Sequence, residues 1–274
     1  MNSGPLGVFD SGIGGLSVLR EILRQHPRED VIYIADQDHV PYGPRPITEV
    51  RGFSTQITRF LLANGAKLIV VACNTASAAA LYHLRELFPD TPFVGMEPAI
   101  KPAAEKTQSG VVGVLATPAT FQGALYASVI ERFAHDVVVL QDTCPGLITQ
   151  IENGELQAMA TKRTLEKALR PMIARGVDRI VMGCTHYPFV IPLIREIVGP
   201  GVEVIDPAPA VARQVGRLLT AHGIQSQNPK PGRIHFYSTG DPVRLESLLP
   251  TLIGVQARVK RLCWRDGRLV EDSR

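Results

Sequence analysis

The stretch that decides the fold of this chain occurs twice. Residues 63–75 read ANGAKLIVVACNT, and residues 174–186 read ARGVDRIVMGCTH. Each copy passes from a helix end at glycine into a buried run rich in isoleucine and valine, and then reaches a cysteine followed by small polar residues. A second pair of similar strand patterns, at residues 7–11 and 113–117, supports a duplication. The sequence therefore predicts two related α/β halves, each carrying a thiol at the end of a strand.

The two repeated thiols belong to Cys73 and Cys184. If the halves face each other, the sulfur atoms approach one ligand from opposite sides, as a reaction at both faces of one carbon requires. A thiol at a helix N-terminus has a lowered pKa, because that position favours the thiolate. A lone free cysteine is more often a small buried hydrophobic residue. Cys144 and Cys263 lack the repeated arrangement, and we assign them to structure. Two cysteines at the same point of a repeat favour a racemase.

Length and composition limit the class of protein. The 274 residues are enough for two domains that each bury a core. The formal net charge of +3 shows no basic excess of the kind found in dedicated nucleic-acid binders. No signal-peptide pattern is present, and the apolar runs are too short to cross a bilayer of about 30 Å. We therefore expect a cytoplasmic protein with free thiols that requires neither membrane nor nucleic acid.

The hydrophobic pattern alternates between strands and helices along the chain. It predicts strands at residues 6–9, 31–35, 68–72, 91–95, 111–115, 137–140, 179–182, 234–238 and 255–262. It predicts helices that begin at residue 16 and near residue 147, and further helices at residues 48–64, 76–88, 121–133, 164–175 and 211–222. Because the first half lacks a partner strand, we expect the tail to return to it. The predicted domains are residues 1–97 plus 208–274, which form a discontinuous domain, and residues 98–207.

Polar residues near the thiols supply further chemistry. The imidazole of His186, two residues beyond Cys184, can hydrogen-bond to that thiol or help to protonate it. Asp10 ends the first strand and is the natural counterpart beside Cys73, although a helix N-cap would also explain it. The side chains that can join helix N-terminal amides in holding a carboxylate without a metal are those of Asn74, Thr75 and Thr185.

The glycine stretch at residues 12–15, with Asp36 at the end of the next strand, suggests a dinucleotide site. Its spacing is wrong, because Ser17 stands where the third glycine is needed. The chain also lacks a Gly-Lys-Ser/Thr phosphate loop and the Cys or His pairs typical of a metal site. A NAD-dependent dehydrogenase is thus an alternative only if the glycine stretch contributes more to the function than the cysteines do.

At these motifs the chain resembles the glutamate racemases, cofactor-independent enzymes of the aspartate/glutamate racemase superfamily. The resemblance spans nearly the whole length. The motifs that carry it are FDSGIGG at 9–15, Asp36, PYG at 41–43, ACNTAS at 72–77, GMEP at 95–98, Glu152 and GCTHYP at 183–188. The sequence departs from the family's pattern at Ala116, where glycine is usual, and near Gln122-Gly123, where serine is common.

The resemblance implies two pseudosymmetric three-layer α/β domains of the aspartate/glutamate racemase type, with the active site between them. It implies that Cys73 acts on D-glutamate and Cys184 on L-glutamate. Asp10 would assist the first thiol, and His186, held by Glu152, would assist the second. The residues that would hold the substrate are Asp10, Ser11, Tyr42, Gly43, Asn74, Thr75, Thr185 and His186.

The resemblance also implies glutamate as the substrate, no cofactor, no metal, a homodimer, and a supply of D-glutamate for peptidoglycan. Three alternatives remain at this point. An aspartate or hydantoin racemase would use the same thiols. A NAD-dependent dehydrogenase would transfer hydride. A catalytically inactive homologue would serve as a regulatory binding protein, for instance one that binds DNA gyrase as some relatives do.

Overall fold

The computed structural model describes residues 4–272 as an alternation of strands and helices. The strands are β1 (Leu6–Asp10), β2 (Val31–Ala35), β3 (Leu68–Val71), β4 (Phe93–Gly95), β5 (Val111–Ala116), β6 (Val138–Asp142), β7 (Arg179–Gly183), β8 (Glu203–Ile205), β9 (Ile234–Ser238), β10 (Val259–Arg265) and β11 (Arg268–Glu271). The helices are α1 (Leu16–Gln25), α2 (Ile47–Ala63), α3 (Asn74–Leu87), α4 (Ile100–Lys106), α5 (Pro118–Gln122), α6 (Ala124–Phe133), α7 (Leu147–Glu152), α8 (Met159–Ala174), α9 (Ile191–Val198), α10 (Ala208–Ala221) and α11 (Pro242–Ile253). Within these described residues no helix is long and apolar enough to span a membrane.

The chain divides into two compact units. The first consists of residues 4–96 with 208–272, and the second is Glu97–Pro207. The first unit is built on a seven-stranded sheet in the order β11-β10-β9-β2-β1-β3-β4. The tail of the chain returns to this sheet, because β9 pairs in parallel with β2 and β10 pairs in parallel with β9. Among the strand pairs that residues 4–272 form in this sheet, only the β10/β11 pair is antiparallel.

The second unit has a four-stranded parallel sheet in the order β6-β5-β7-β8. The first sheet contains the same arrangement as β2-β1-β3-β4. In the first sheet, β3 lies next to β1 and leads to Cys73. In the second sheet, β7 lies next to β5 and leads to Cys184. This shared order confirms the duplication predicted from the sequence. The strands β1, β3 and β7 are apolar and almost wholly buried, as expected for parallel strands covered by helices on both faces.

Several predicted elements differ from the structure. The helix predicted at residues 121–133 is broken at Gly123, whose extended backbone separates α5 from α6. The last predicted strand begins at Val259 rather than residue 255, because α11 occupies the preceding segment and ends at Gly254, which has φ +71°. The elements α4, α9, α11, β8 and β11 are additional to those predicted. All of these differences lie outside the strands that carry the thiols.

The backbone at Gly232, in the tail, passes very close to the backbone of residues 27–29 in the first sheet's unit. This close approach allows a test of how the tail is joined to that unit. The Gly232 amide donates to the carbonyl of Pro27 at 2.9 Å, and a Cβ at Gly232 would lie 2.0 Å from the carbonyl oxygen of Glu29. Because that obstacle is backbone, it cannot move aside as a flexible side chain would. We expect Gly232→Ala to lower the free energy of unfolding by about 3 kcal/mol, measured by urea denaturation.

The matched control for this substitution is Gly52→Ala. Gly52 lies inside α2, and a Cβ there meets no other atom within 4 Å. Alanine is the better helix former, so this variant should gain about 0.5–1 kcal/mol. Equal stabilities of the two variants would show that the tail does not pass Glu29 this closely.

Candidate active site

Each unit places one of the repeated thiols at the carboxyl edge of its sheet. Cys73 lies two residues after the end of β3, and Cys184 is the residue directly after β7. Both are free thiols and both are buried, at 5% and 4% exposed. The carboxyl ends of parallel strands are where ligands bind in open α/β sheets. We call the polar groups around Cys73 the first half-site (Asp10, Ser11, Tyr42, Gly43, Cys73, Asn74, Thr75) and those around Cys184 the second half-site (Thr117, Thr120, Glu152, Cys184, Thr185, His186).

Cys73 is the N-cap of α3. Its Sγ accepts a hydrogen bond from the Ala76 amide at 3.4 Å and lies 3.7 Å from the Ser11 hydroxyl oxygen. Burial, followed by the negative charge of Asp10, raises the pKa of Cys73 well above its ordinary value, and these effects outweigh the two stabilising contacts. The lowered pKa expected from the helix N-terminus alone is therefore wrong for this residue. The raised pKa favours the protonated form of Cys73, which has a proton to donate.

Asp10 is the last residue of β1 and lies against the glycine turn that follows the strand. Its Oδ2 accepts hydrogen bonds from the amides of Gly12 at 3.2 Å and Gly15 at 3.0 Å. A Cβ at Gly15 would lie 2.7 Å from the Cβ of Asp10, so glycine is what permits this close approach. The amides that would cradle a phosphate in a dinucleotide site bind this carboxylate instead. Asp10 also forms a hydrogen bond with Cys73, which puts a proton acceptor beside the thiol.

Asn74 and Thr75 form the first turn of α3 and are buried. Neither the amide nitrogen nor the amide oxygen of Asn74 has a hydrogen-bond partner among residues 4–272. Leaving a buried polar group unsatisfied costs about 1–3 kcal/mol, so folded proteins rarely retain one without a reason. A buried amide with unused hydrogen-bonding capacity, one residue from a candidate catalytic thiol, indicates a ligand-binding position.

Tyr42 and Gly43 lie in the loop that follows β2. The Tyr42 hydroxyl is buried and donates to Asp36 Oδ2 at 2.6 Å. Burial, reinforced by the Asp36 charge, raises the pKa of Tyr42 well above its ordinary value, so the phenol stays neutral. Because the hydroxyl is engaged by Asp36, the backbone of these two residues is the part of the loop suited to contact a substrate. Asp36 itself is a support for the loop rather than a ribose ligand.

The second half-site contains a linked series of three side chains. Cys184 Sγ lies 3.8 Å from His186 Nδ1, and His186 Nε2 lies 2.7 Å from Glu152 Oε1. Burial would lower the pKa of His186, but the hydrogen bonds and charges of Cys184 and Glu152 outweigh it and raise this pKa well above its ordinary value. An imidazolium beside a sulfur atom favours the thiolate. The half-site therefore places a histidine ring nitrogen 3.8 Å from the sulfur, where it can exchange a proton with Cys184.

The turn after β6 leads into the helix that ends at Glu152. Asp142 Oδ1 accepts a hydrogen bond from the Cys144 amide at 2.7 Å, and Cys144 adopts a positive φ of 43°. Gly146, with φ +87°, then starts α7, which ends at Glu152. The hydroxyl of Tyr187 donates to the carbonyl of Thr143 at 3.0 Å and joins this turn to the segment after Cys184. Cys144 is buried within the turn, in agreement with its assignment to structure.

Two threonines at the end of β5 are additional candidates. Thr117 is the N-cap of α5 and accepts from the Thr120 amide at 3.3 Å, and the two hydroxyl oxygens are 3.0 Å apart. Both are buried, as is Thr185 next to the thiol. Thr117 corresponds to Ser11 in the repeat of residues 7–11 at residues 113–117. That repeat is the sequence signal that identifies Thr117 as a candidate.

Comparisons with known proteins agree with this geometry. Residues 7–215 match the family model described as Asp/Glu/Hydantoin racemase. The chain belongs to this racemase family. A glutamate racemase from Ectopseudomonas mendocina (strain ymp) is 51% identical over 255 residues, which is 93% of this chain and 97% of that relative. Among the racemases of the family, the chain therefore groups with the glutamate racemases, and it is an isomerase.

Solved racemase structures share the fold. The glutamate racemase isoform RacE1 from Bacillus anthracis has a TM-score of 0.85 and 33% identity, and the match covers 98% of this chain and 100% of that one. The Escherichia coli glutamate racemase, solved with L-glutamate and the activator UDP-MurNAc-ala, has a TM-score of 0.83 and 30% identity, covering 95% and 98%. These matches confirm the predicted fold class. The NAD-dependent dehydrogenase alternative is wrong.

Proposed function

We propose that this racemase interconverts L-glutamate and D-glutamate without a cofactor, by proton transfer at Cα between Cys73 and Cys184. The observation that carries the proposal is the equivalence of the two thiols. Each follows the corresponding strand of a duplicated sheet, and each has its own proton-handling partner, Asp10 for the first and His186 for the second. A racemase needs one base and one acid at a single carbon, and the two half-sites supply a matched pair.

The charge states of the two half-sites suggest the direction of each step. With L-glutamate bound, the Cys184 thiolate takes the Cα proton, while the Cys73 thiol gives its proton to the opposite face and D-glutamate forms. Cys184 then holds a proton and Cys73 does not, which is the state that accepts D-glutamate for the reverse reaction. Asp10 and His186 return the sulfur atoms to their starting states by exchanging protons with solvent.

The weak acidity of Cα is overcome by hydrogen-bond donors around the substrate carboxylate. Negative charge develops on that carboxylate as the proton leaves, and donors fixed in advance stabilise it. Ser11, Asn74 and Thr75 supply such donors in the first half-site, and Thr185 supplies one in the second. The buried, unpartnered amide of Asn74 supports this role most directly. The backbone at residues 42–43 would contact the same ligand.

Glutamate is proposed as the substrate because glutamate racemases are the similar relatives, and because the matched Escherichia coli enzyme binds L-glutamate. The family resemblance also supports three further parts of the proposal, namely the supply of D-glutamate for peptidoglycan, a homodimer and a cytoplasmic location. An aspartate or hydantoin racemase remains the second candidate, because the matched family includes those substrates.

The proposal is tested by incubating the purified protein with L-glutamate in deuterium oxide and adding no cofactor. Chiral chromatography and mass spectrometry should show D-glutamate that carries deuterium at Cα, and both enantiomers should reach equal amounts. L-Aspartate and a monosubstituted hydantoin serve as comparison substrates. Faster turnover of either would reassign the substrate, and absence of Cα exchange with all three would indicate a binding protein.

A further inference from the structure

A buried carboxylate joins the tail of the chain to the loop that carries Tyr42. Asp36 directly follows β2 and is fully buried. Four side chains direct hydrogen-bonding atoms at it. The groups that contact its two oxygens are the Tyr42 hydroxyl at 2.6 Å, Trp264 Nε1 at 2.8 Å, His39 Nδ1 at 2.9 Å and the Thr239 hydroxyl at 3.0 Å. Burying a carboxylate is costly unless donors of this kind surround it.

The two oxygens of Asp36 face different parts of the chain. Oδ2 accepts from the Tyr42 hydroxyl, in the loop after β2. Oδ1 accepts from Trp264 on β10 and from Thr239 just after β9, and both of those strands belong to the tail. One carboxylate therefore connects the loop of the first half-site to a segment more than two hundred residues away in sequence.

Trp264 is held on its other side by an aromatic cluster formed with His39 and Phe53. Its ring centroid lies 5.1 Å from that of His39 and 5.5 Å from that of Phe53, and His39 stacks on Phe53 at 3.8 Å. Tyr42 packs in the same hydrophobic core cluster as Cys73. A displacement of Trp264 would thus be passed through Asp36 and Tyr42 to the surroundings of the thiol.

We propose that Asp36 and Trp264 are positioning residues, which hold the Tyr42-Gly43 turn in the conformation that binds glutamate. The inference rests on the proposed function, because it assigns the turn to the substrate. Neither residue takes part in proton transfer. Loss of the Trp264 N–H donor leaves Oδ1 with the Thr239 hydroxyl as its tail partner and loosens the turn, which weakens substrate binding more than it slows chemistry.

The main test is Trp264→Phe, which keeps an aromatic ring in the cluster and removes the N–H donor to Asp36 together with the rest of the five-membered ring of the indole. A hydrogen bond to a charged group contributes about 1.5–3 kcal/mol, so we expect the KM for L-glutamate to rise about tenfold or more. We expect kcat to change less than about twofold, because uniform binding energy affects KM alone. The matched control is Cys263→Ala, a neighbour on β10 whose side chain points to the opposite face and should leave both constants unchanged.

A second variant keeps the proposal testable if Trp264→Phe does not fold. Tyr42→Phe removes the hydroxyl that donates to Asp36 and should also raise KM with little change in kcat. If both residues act through Asp36, the KM increase in the double variant is smaller than the product of the two single increases. An unchanged KM in a folded single variant, or fully multiplicative effects in the double variant, would overturn the inference.

The wild-type protein in the same assay separates this inference from the proposed function. If wild type does not racemise glutamate, the proposed function fails and the substrate loop loses its basis. If wild type racemises glutamate and Trp264→Phe has the wild-type KM, only the positioning role fails. A fall in kcat at unchanged KM would likewise contradict it, since that result would place Trp264 in the chemical step.

Discussion

We expect Cys184→Ala to lower kcat for the conversion of L-glutamate to D-glutamate by at least about a thousandfold, because removing a proton-transfer group typically costs two to four orders of magnitude. Cys73→Ala should have an effect of the same size in both directions, since each inversion needs one thiolate and one thiol. Chiral chromatography of the products measures inversion. Cys263→Ala is the control, because it removes a thiol of β10 that hydrogen-bonds to Asp272 and not to a residue of either half-site.

Deuterium exchange at Cα of glutamate distinguishes the roles of the two thiols. In Cys73→Ala, the Cys184 thiolate can still take the Cα proton of L-glutamate and return a deuteron to the same face. We therefore expect slow deuterium incorporation into L-glutamate without formation of D-glutamate. The corresponding exchange in Cys184→Ala should favour D-glutamate. Ordinary turnover in both directions by either single variant would refute the assignment of two thiols.

The second large effect is expected for Glu152→Gln. The carboxylate lies 2.7 Å from His186 Nε2, and both side chains are buried. Without its negative charge the protonated imidazole loses a partner, so the pKa of His186 falls from its raised value and the Cys184 thiolate is less well stabilised. We expect kcat with L-glutamate to fall by about ten- to a hundredfold.

The pH dependence of kcat distinguishes this role from a structural one. The limb that reports deprotonation of His186 should move to lower pH in Glu152→Gln, because the imidazolium now loses its proton more easily. Glu155→Gln is the matched control, since the same change three residues later affects an exposed side chain that accepts from Asn153. A pH profile identical to wild type would show that Glu152 does not set the charge of His186.

Much of the fold can be predicted because its central strands are short, apolar and buried. The strands that lead to Cys73 and Cys184 read as runs of isoleucine and valine, and the end of each run is marked by polar residues. The return of the tail follows from the missing partner strand. The hairpin of β10 and β11 could also have been predicted, because Asp266-Gly267 is a strong turn signal between two strands.

Other features depend on packing that a single sequence does not reveal. The helix α11 contains Pro250, which conceals the regular spacing of its leucines. The pKa of Cys73 depends on burial and on Asp10, and these reverse the effect expected from the helix N-terminus. The hydrogen bonds to Asp36 from Thr239 and Trp264 join residues that are distant in sequence, so no local pattern predicts them.

The discontinuous first unit has a consequence for synthesis on the ribosome. Its sheet includes β9 and β10, which emerge only after the whole of Glu97–Pro207 has been translated. The contiguous second unit can therefore fold first, while the edge of β2 that later pairs with β9 is still open. Chains grow at about 5–20 residues per second, so this interval lasts several seconds or more. During that time the open edge of β2 can pair with a strand of another chain, so it is a site where a chaperone would prevent aggregation.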